Sequence, residues 1–273
     1  MQAASRESYA AAYERFEAYA GSAEPASLAD TAEALLSVAA LLGREPRLRR
    51  ALADPARPGE DRAGLLGNLL AGKVGAEAQE LLTTMASGRW STPSELLEAT
   101  ERLGVEALLA SADRAGDLGE VEDELFRFGQ LVSGDPGLSS VLADSIAPPA
   151  QRAELTRTLL AGKAKPATVR LVEVALAGFG GRSFSGSLTR LVELAADRRD
   201  RQVAYVTVAA PLSEDEERRL GAKLAELYGR EVTVKQTVNP EILGGLSVQV
   251  GSDLYDGTVL RRLNDTRNAL AKR

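Results

Sequence analysis

The sequence predicts a mostly α-helical protein: an N-terminal helical bundle with an internal duplication, then a small α+β unit ordered β-α-β-β-α. Three observations predict it. Ala and Leu dominate, with hydrophobic residues at 44% and aromatics at only 4%, which suits close-packed helices. Apolar stripes at helical period run from residue 5 to about residue 200. Motifs in the first half return at an offset of 90 residues. We place a boundary near residue 202, giving a helical unit 1–201, with copies at about 27–115 and 116–201, and an α+β unit 202–273.

Residues 5–20 read as the first helix, with Tyr9, Tyr13 and Phe16 on one face and Arg6, Glu14, Arg15 and Glu17 elsewhere. Such a stripe is ordinarily a core stripe. A second helix, 27–43, puts Leu28, Leu35 and Leu42 on one face, and Gly43 suits its C-terminal end. The repeat follows. Pro46, Leu48, Leu52, Ala53 and Asp54 return as Pro136, Leu138, Leu142, Ala143 and Asp144. Pro58, Arg62, Leu65 and the run Leu69-Leu70-Ala71-Gly72-Lys73 return as Pro148, Arg152, Leu155 and Leu159-Leu160-Ala161-Gly162-Lys163. Each copy then carries one more helix, at 75–87 and 165–178. Between the copies a long helix starts at Thr92-Pro93-Ser94-Glu95, which reads as a full capping box with proline at the first helical position, and runs to about Ala115. A helix at 120–133 carries Val121, Leu125, Phe128 and Val132 on one face, and a last bundle helix spans 184–200.

Beyond residue 202 the period changes. Val203, Tyr205, Val206 and Val208 mark a strand over 202–209. Ser213 and Glu216 form a capping box opening a helix that ends at Gly229. Residues 232–238 are a second strand. Asn239-Pro240 is a turn, Gly244-Gly245 permits a sharp bend or close approach of another segment, and Leu246, Val248 and Val250 alternate as a third strand. Asp256-Gly257 is a further turn, and residues 258–272 read as a basic helix with Arg261, Arg262, Arg267 and Lys272.

Composition excludes much chemistry. There is no cysteine and no histidine, so Cys- or His-based catalysis, disulfides and the usual zinc ligands are ruled out. The net charge of −6 argues against non-specific nucleic-acid binding. No cofactor, metal or catalytic residues are expected. No apolar run approaches the roughly 20 residues of a membrane span, and no signal peptide is read at the N-terminus. The run from Gly67 to Lys73 matches most of a phosphate-binding loop. Val74 stands where Ser or Thr is needed, and a helix rather than a strand precedes it, so it reads as a helix end. Glu120, Glu122, Asp123 and Glu124 read as a solvated helix start.

The ordered run of residues 232–238, Asn239, Gly244-Gly245, Leu246, Val248, Gly251, Asp256-Gly257-Thr258 and Arg261-Arg262 resembles the C-terminal signature of the delta subunit of F-type ATP synthases, called OSCP in mitochondria. Arg6, Tyr9-Ala10 and Ala12 resemble that family's opening helix more loosely. The family usually has one six-helix bundle, so this chain resembles a long form. The resemblance implies a non-catalytic stator subunit, peripheral on the cytoplasmic side of the cell membrane, joining the catalytic head to the peripheral stalk during proton-driven ATP synthesis. It implies that Tyr9, Ala12, Tyr13 and Phe16 help form the surface receiving the alpha subunits' N-terminal segments. It also implies that Arg261 and Arg262 lie towards subunit b. The alternatives are a helical-repeat adaptor and, more remotely, an ATP-using enzyme.

Overall fold

The computed structural model describes residues 1–144, 147–199, 201–229, 231–240, 242, 244–250, 253–259 and 261. The helices are α1 (Ala3–Ala20), α2 (Pro25–Arg44), α3 (Pro46–Leu52), α4 (Gly59–Leu70), α5 (Ala76–Ser87), α6 (Pro93–Arg114), α7 (Leu118–Gly134), α8 (Pro136–Ala143), α9 (Pro149–Leu160), α10 (Pro166–Ala177) and α11 (Phe184–Arg198), with a 3-10 turn at Phe179–Gly181. β1 (Arg201–Val208), α12 (Glu214–Tyr228), β2 (Glu231–Val238), β3 (Leu246–Val250) and β4 (Asp253–Asp256) follow. The predicted helix 258–272 lies almost wholly outside the described residues, as do Gly251, Arg262, Arg267, Lys272 and Arg273.

The 90-residue offset extends further than the sequence motifs. α3, α4 and α5 correspond to α8, α9 and α10, and α2 to α7. At the same offset α1 falls on the first five turns of α6, and α6 itself falls on α11. Contacts repeat accordingly: α2 packs on α6 as α7 does on α11, α4 on α5 as α9 on α10, and α1 on α5 as α6 on α10. Thus α6 closes the first bundle and opens the second. A shared helix must bury several faces, and α6 does: Leu103, Val105, Ala107, Leu109 and Ala110 are all fully buried. The crossing with α2 is close because position 104 is glycine. A Cβ there would lie 2.8 Å from Leu36 Cγ.

Each copy is fastened by the same arginine. Arg62 Nη1 donates to the carbonyls of Leu52 (3.2 Å) and Gly88 (2.7 Å), and Nη2 donates to Ser87 (3.1 Å). Arg152 Nη1 donates to Leu142 (3.1 Å) and Leu176 (3.3 Å). Both side chains are buried. The acceptors lie at the C-terminal ends of α3 and α5, and of α8 and α10, where unpaired carbonyls and the helix dipoles are negative. A guanidinium, with several donors in one plane, satisfies them together. Repetition of Arg62 and Arg152 was visible in the sequence; their task was not.

Three sequence expectations need correction. Thr92 accepts from Glu95 N (3.3 Å), but Glu95 does not complete the box. Its carboxylate accepts instead from Gln2 N (2.7 Å) and Ser5 Oγ (2.6 Å), pinning α1 to α6. These bonds, Ser5's foremost, hold the Glu95 carboxyl below the usual carboxylate range. Second, α2 is long and apolar enough to pass for a membrane span by length and composition. Its Leu28, Leu35, Leu36 and Leu42 are buried in the bundle, so its apolarity is that of a core helix. Third, the sheet has four strands, not three. β4 was missed because it is short and its Leu254 and Tyr255 are exposed, which erases the alternation that marks a half-buried strand.

The sheet order is β2-β1-β3-β4, with β1 parallel to β2 and antiparallel to β3. β1 is apolar on both faces for a reason. Ala204, Val206 and Val208 join Leu224, Val232, Val248 and Val250 in a core under α12, whereas Val203 and Tyr205 face the other way and join the helical core. The strand that opens the second unit is therefore also the floor of its contact with the first. Ser213 caps α12 with a complete capping box, as expected.

Candidate partner-docking site

The opening-helix residues lie together, but inward. Ala12 and Phe16 have no exposed surface and Tyr9 has little; Tyr13 is half-buried. The Tyr9 and Tyr13 rings stack at 5.9 Å, and the guanidinium of Arg102 on α6 sits 5.0 Å from the Tyr9 ring centroid. Arg198 on α11 bonds Glu17 (2.9 Å) and lies 5.9 Å from the Phe16 ring. These side chains clamp α1 to α6 and α11 rather than offering an open surface. The stripe is a core stripe.

Buried in this clamp is Glu106, 3.6 Å from Arg102 Nε. Burial raises its carboxyl above the ordinary range, and Arg102 and Arg198 oppose that only in part. A carboxyl raised on folding contributes stability below its unfolded value, and that contribution is lost as pH rises through the folded value. We therefore expect Glu106→Gln to melt higher than wild type at about pH 7.5, with the advantage shrinking towards about pH 4.5. Melting temperatures of both proteins across that range check it.

A groove of about 450 Å³ runs between α2, α6 and α10. Leu36, Ala39, Ala40, Leu97, Val174 and Ala177 line it, and Ala40 and Ala177 are exposed. Small residues on α2 and α10 keep it wide enough for an apolar side-chain row to enter. Its rim is polar: Glu101 Oε2 accepts from Gly180 N (2.9 Å), and Arg170 bonds Glu33 (2.7 Å) and Glu173 (3.2 Å). Burial lifts the Glu101 carboxyl. The groove spans both copies, so no single-copy motif could have disclosed it.

The phosphate-loop lookalike is a helix end. Lys73 N bonds the Leu70 carbonyl (2.9 Å) and Lys73 Nζ bonds Leu69 O (2.9 Å), both at the negative end of α4. Lys163 N repeats the bond to Leu160 (3.0 Å).

The C-terminal signature proves to be a stitch between two turns. Asn239 N bonds Val208 O (2.8 Å), fixing the exit from β2. Gly257 N bonds Leu246 O (3.0 Å), and Val259 N bonds Gly244 O (3.0 Å). Gly245 has φ +80°, and a Cβ there would lie 2.5 Å from Gly257 O. Asp256 Oδ1 accepts from Thr258 N (3.0 Å), and its hydrogen bonds to Thr258 hold its carboxyl below the usual range. Val248 is buried in the sheet core. Of the predicted basic pair, Arg261 is exposed at the edge of the described region, with its N 3.4 Å from Thr258 Oγ1; Arg262 lies outside it.

Comparison with known proteins agrees with this architecture. The profile of the ATP synthase delta (OSCP) subunit family matches residues 105–270, from within α6 through the sheet unit. The opening helix lies outside that match. The chain is 73% identical to the ATP synthase subunit delta of Salinispora arenicola over the full length of both. It is 45% identical to that of Streptomyces griseus over 99% of this chain and all of the relative. A whole-length likeness of this degree, together with the stitched turns of the signature, places the chain in the ATP synthase delta (OSCP) subunit family.

Proposed function

We propose that this protein is the stator subunit of an F-type ATP synthase and that it works mechanically, without bond-making of its own. It joins the catalytic head to the peripheral stalk at the cytoplasmic side of the membrane-bound complex, so that proton-driven rotation is coupled to ATP synthesis. The observation that carries this reading is the groove between α2, α6 and α10. We assign it to an amphipathic helix from the head, the N-terminal segment of an alpha subunit, laid apolar face down between small residues. Tyr9, Ala12, Tyr13 and Phe16 then serve docking indirectly, by holding α1 against α6. The sheet unit, with Arg261 beyond its last described turn, faces subunit b.

The test fills the groove. Ala40→Leu with Ala177→Leu is expected to weaken binding of the full chain to catalytic heads by at least about tenfold, or ~1.4 kcal/mol. Its melting temperature should stay that of wild type, because both side chains are exposed. Unchanged head binding would move the head-docking surface elsewhere.

A further inference from the structure

Glu122, which the sequence places in a solvated acidic helix start, is completely buried. Its Oε2 accepts from Arg199 Nη1 at 2.8 Å, and its Oε1 lies 3.1 Å from Lys235 Nζ. Lys235 sits on the edge strand β2, and its side chain is only 6% exposed. It also pairs with Asp123, and its ammonium lies 5.5 Å from the Phe126 ring centroid. Opposite Lys235 in the sheet register is Tyr205, whose ring is 6.4 Å from Phe126. Two residues further along β2, Thr237 Oγ1 accepts from Gln130 Nε2 at 2.8 Å. One face of α7 thus meets one face of β1 and β2, with a buried charge cluster at the centre. The first copy has no such cluster: at the offset of 90, Ala32 and Leu36 stand in place of Glu122 and Phe126.

A buried ion pair adds little stability over an apolar contact, but removing one partner is costly because the other charge stays buried. A hydrophobic contact tolerates sliding. This one does not, because moving β2 by one residue would turn Lys235 to the far face and leave Glu122 against Val234 or Gln236. We propose that Glu122, Lys235 and Arg199 form an ionic lock that sets the angle between the helical body and the sheet unit. The chain is then one stiff piece rather than two tethered ones. These are positioning residues, and the inference rests on the fold alone, whatever the partners.

The chain has no cysteine, so spin labels can be placed at will. Nitroxides at Ala11→Cys and Lys223→Cys, both exposed, report the distance between α1 and α12 in the full chain. The wild-type background should give one narrow distance distribution. Glu122→Ala and Lys235→Ala should each broaden it at least about twofold, because the buried charge left behind keeps only part of its pairing, Asp123 for Lys235 or Arg199 for Glu122, and is hydrated most easily by opening the joint. The paired change Glu122→Leu with Lys235→Met should narrow it again; Arg199, 28% exposed, can turn to water. Arg127→Ala, which removes an exposed partner of Asp123, should leave it narrow. If Glu122→Ala does not fold, Lys235→Met from the edge strand makes the same measurement. A broad wild-type distribution, single variants as narrow as wild type, or a paired variant as broad as the singles would each overturn the lock.

Discussion

Gly245→Ala should unpick the sheet unit. Two effects add. The backbone at 245 sits at φ +80°, where an L-residue costs about 1–2 kcal/mol. The new methyl would also lie 2.5 Å from Gly257 O and 3.0 Å from Thr258 Cα. Both are backbone atoms of a turn that is itself hydrogen-bonded to Leu246 and Gly244, so no flexible side chain can yield. The turns must part, and the amides of Gly257 and Val259 lose their acceptors. Native-state hydrogen exchange at those two amides should accelerate by at least about a hundredfold, or ~2.7 kcal/mol. Amides in α2 and α6 should keep their protection. Gly43→Ala is the control, since nothing lies within 4 Å of its Cβ position. Equal protection in Gly245→Ala and wild type would show that the close approach of the turns is not what holds them.

Arg62→Met should be the most destabilising change in the first copy. The aliphatic stem is kept, so little packing is lost. What goes is the fork holding three carbonyls at the ends of α3 and α5. Leaving a buried acceptor unpaired costs about 1–3 kcal/mol each, and partial access to water reduces the sum, so a loss of about 3–5 kcal/mol is expected. Arg152→Met, with two such bonds, should cost less. Arg62→Lys keeps the charge without the fork and should recover less than half of the loss. Denaturant unfolding followed by helical circular dichroism measures all three. A loss below about 1 kcal/mol for Arg62→Met would mean that the helix ends find other donors.

These two sites show what the sequence disclosed and what it did not. The Gly-Gly pair and the Asp-Gly turn were readable because unusual backbone geometry restricts residue choice. That each turn is the other's partner was not readable, since they meet only in space. The repeat was readable where prolines and the Leu-Leu-Ala-Gly-Lys run mark helix ends. The correspondence of α1 with α6 was hidden, because helix burial is satisfied by many side chains: Tyr9, Phe16 and Ala20 answer to Ala99, Glu106 and Ala110, all buried. The stripe Tyr9-Tyr13-Phe16 announced a packed face correctly, and pattern alone cannot say whether the packing partner is another helix of the chain or another protein. Glu122 read as solvent-facing because charge usually is, and only the juxtaposition of α7 with β2 buries it. The groove between α2, α6 and α10 lies between helices of different copies and leaves no local mark.

We propose that this chain carries load between head and stalk. That role is tested most directly in a reconstituted, membrane-embedded synthase from which the subunit is omitted and then restored. Without it, the head should still hydrolyse ATP, while proton-driven ATP synthesis should be abolished. Adding back the wild-type chain should restore synthesis, and the groove-filled Ala40→Leu, Ala177→Leu chain should restore little of it. Full proton-driven synthesis in the complex lacking the subunit would show that the chain does not carry that load.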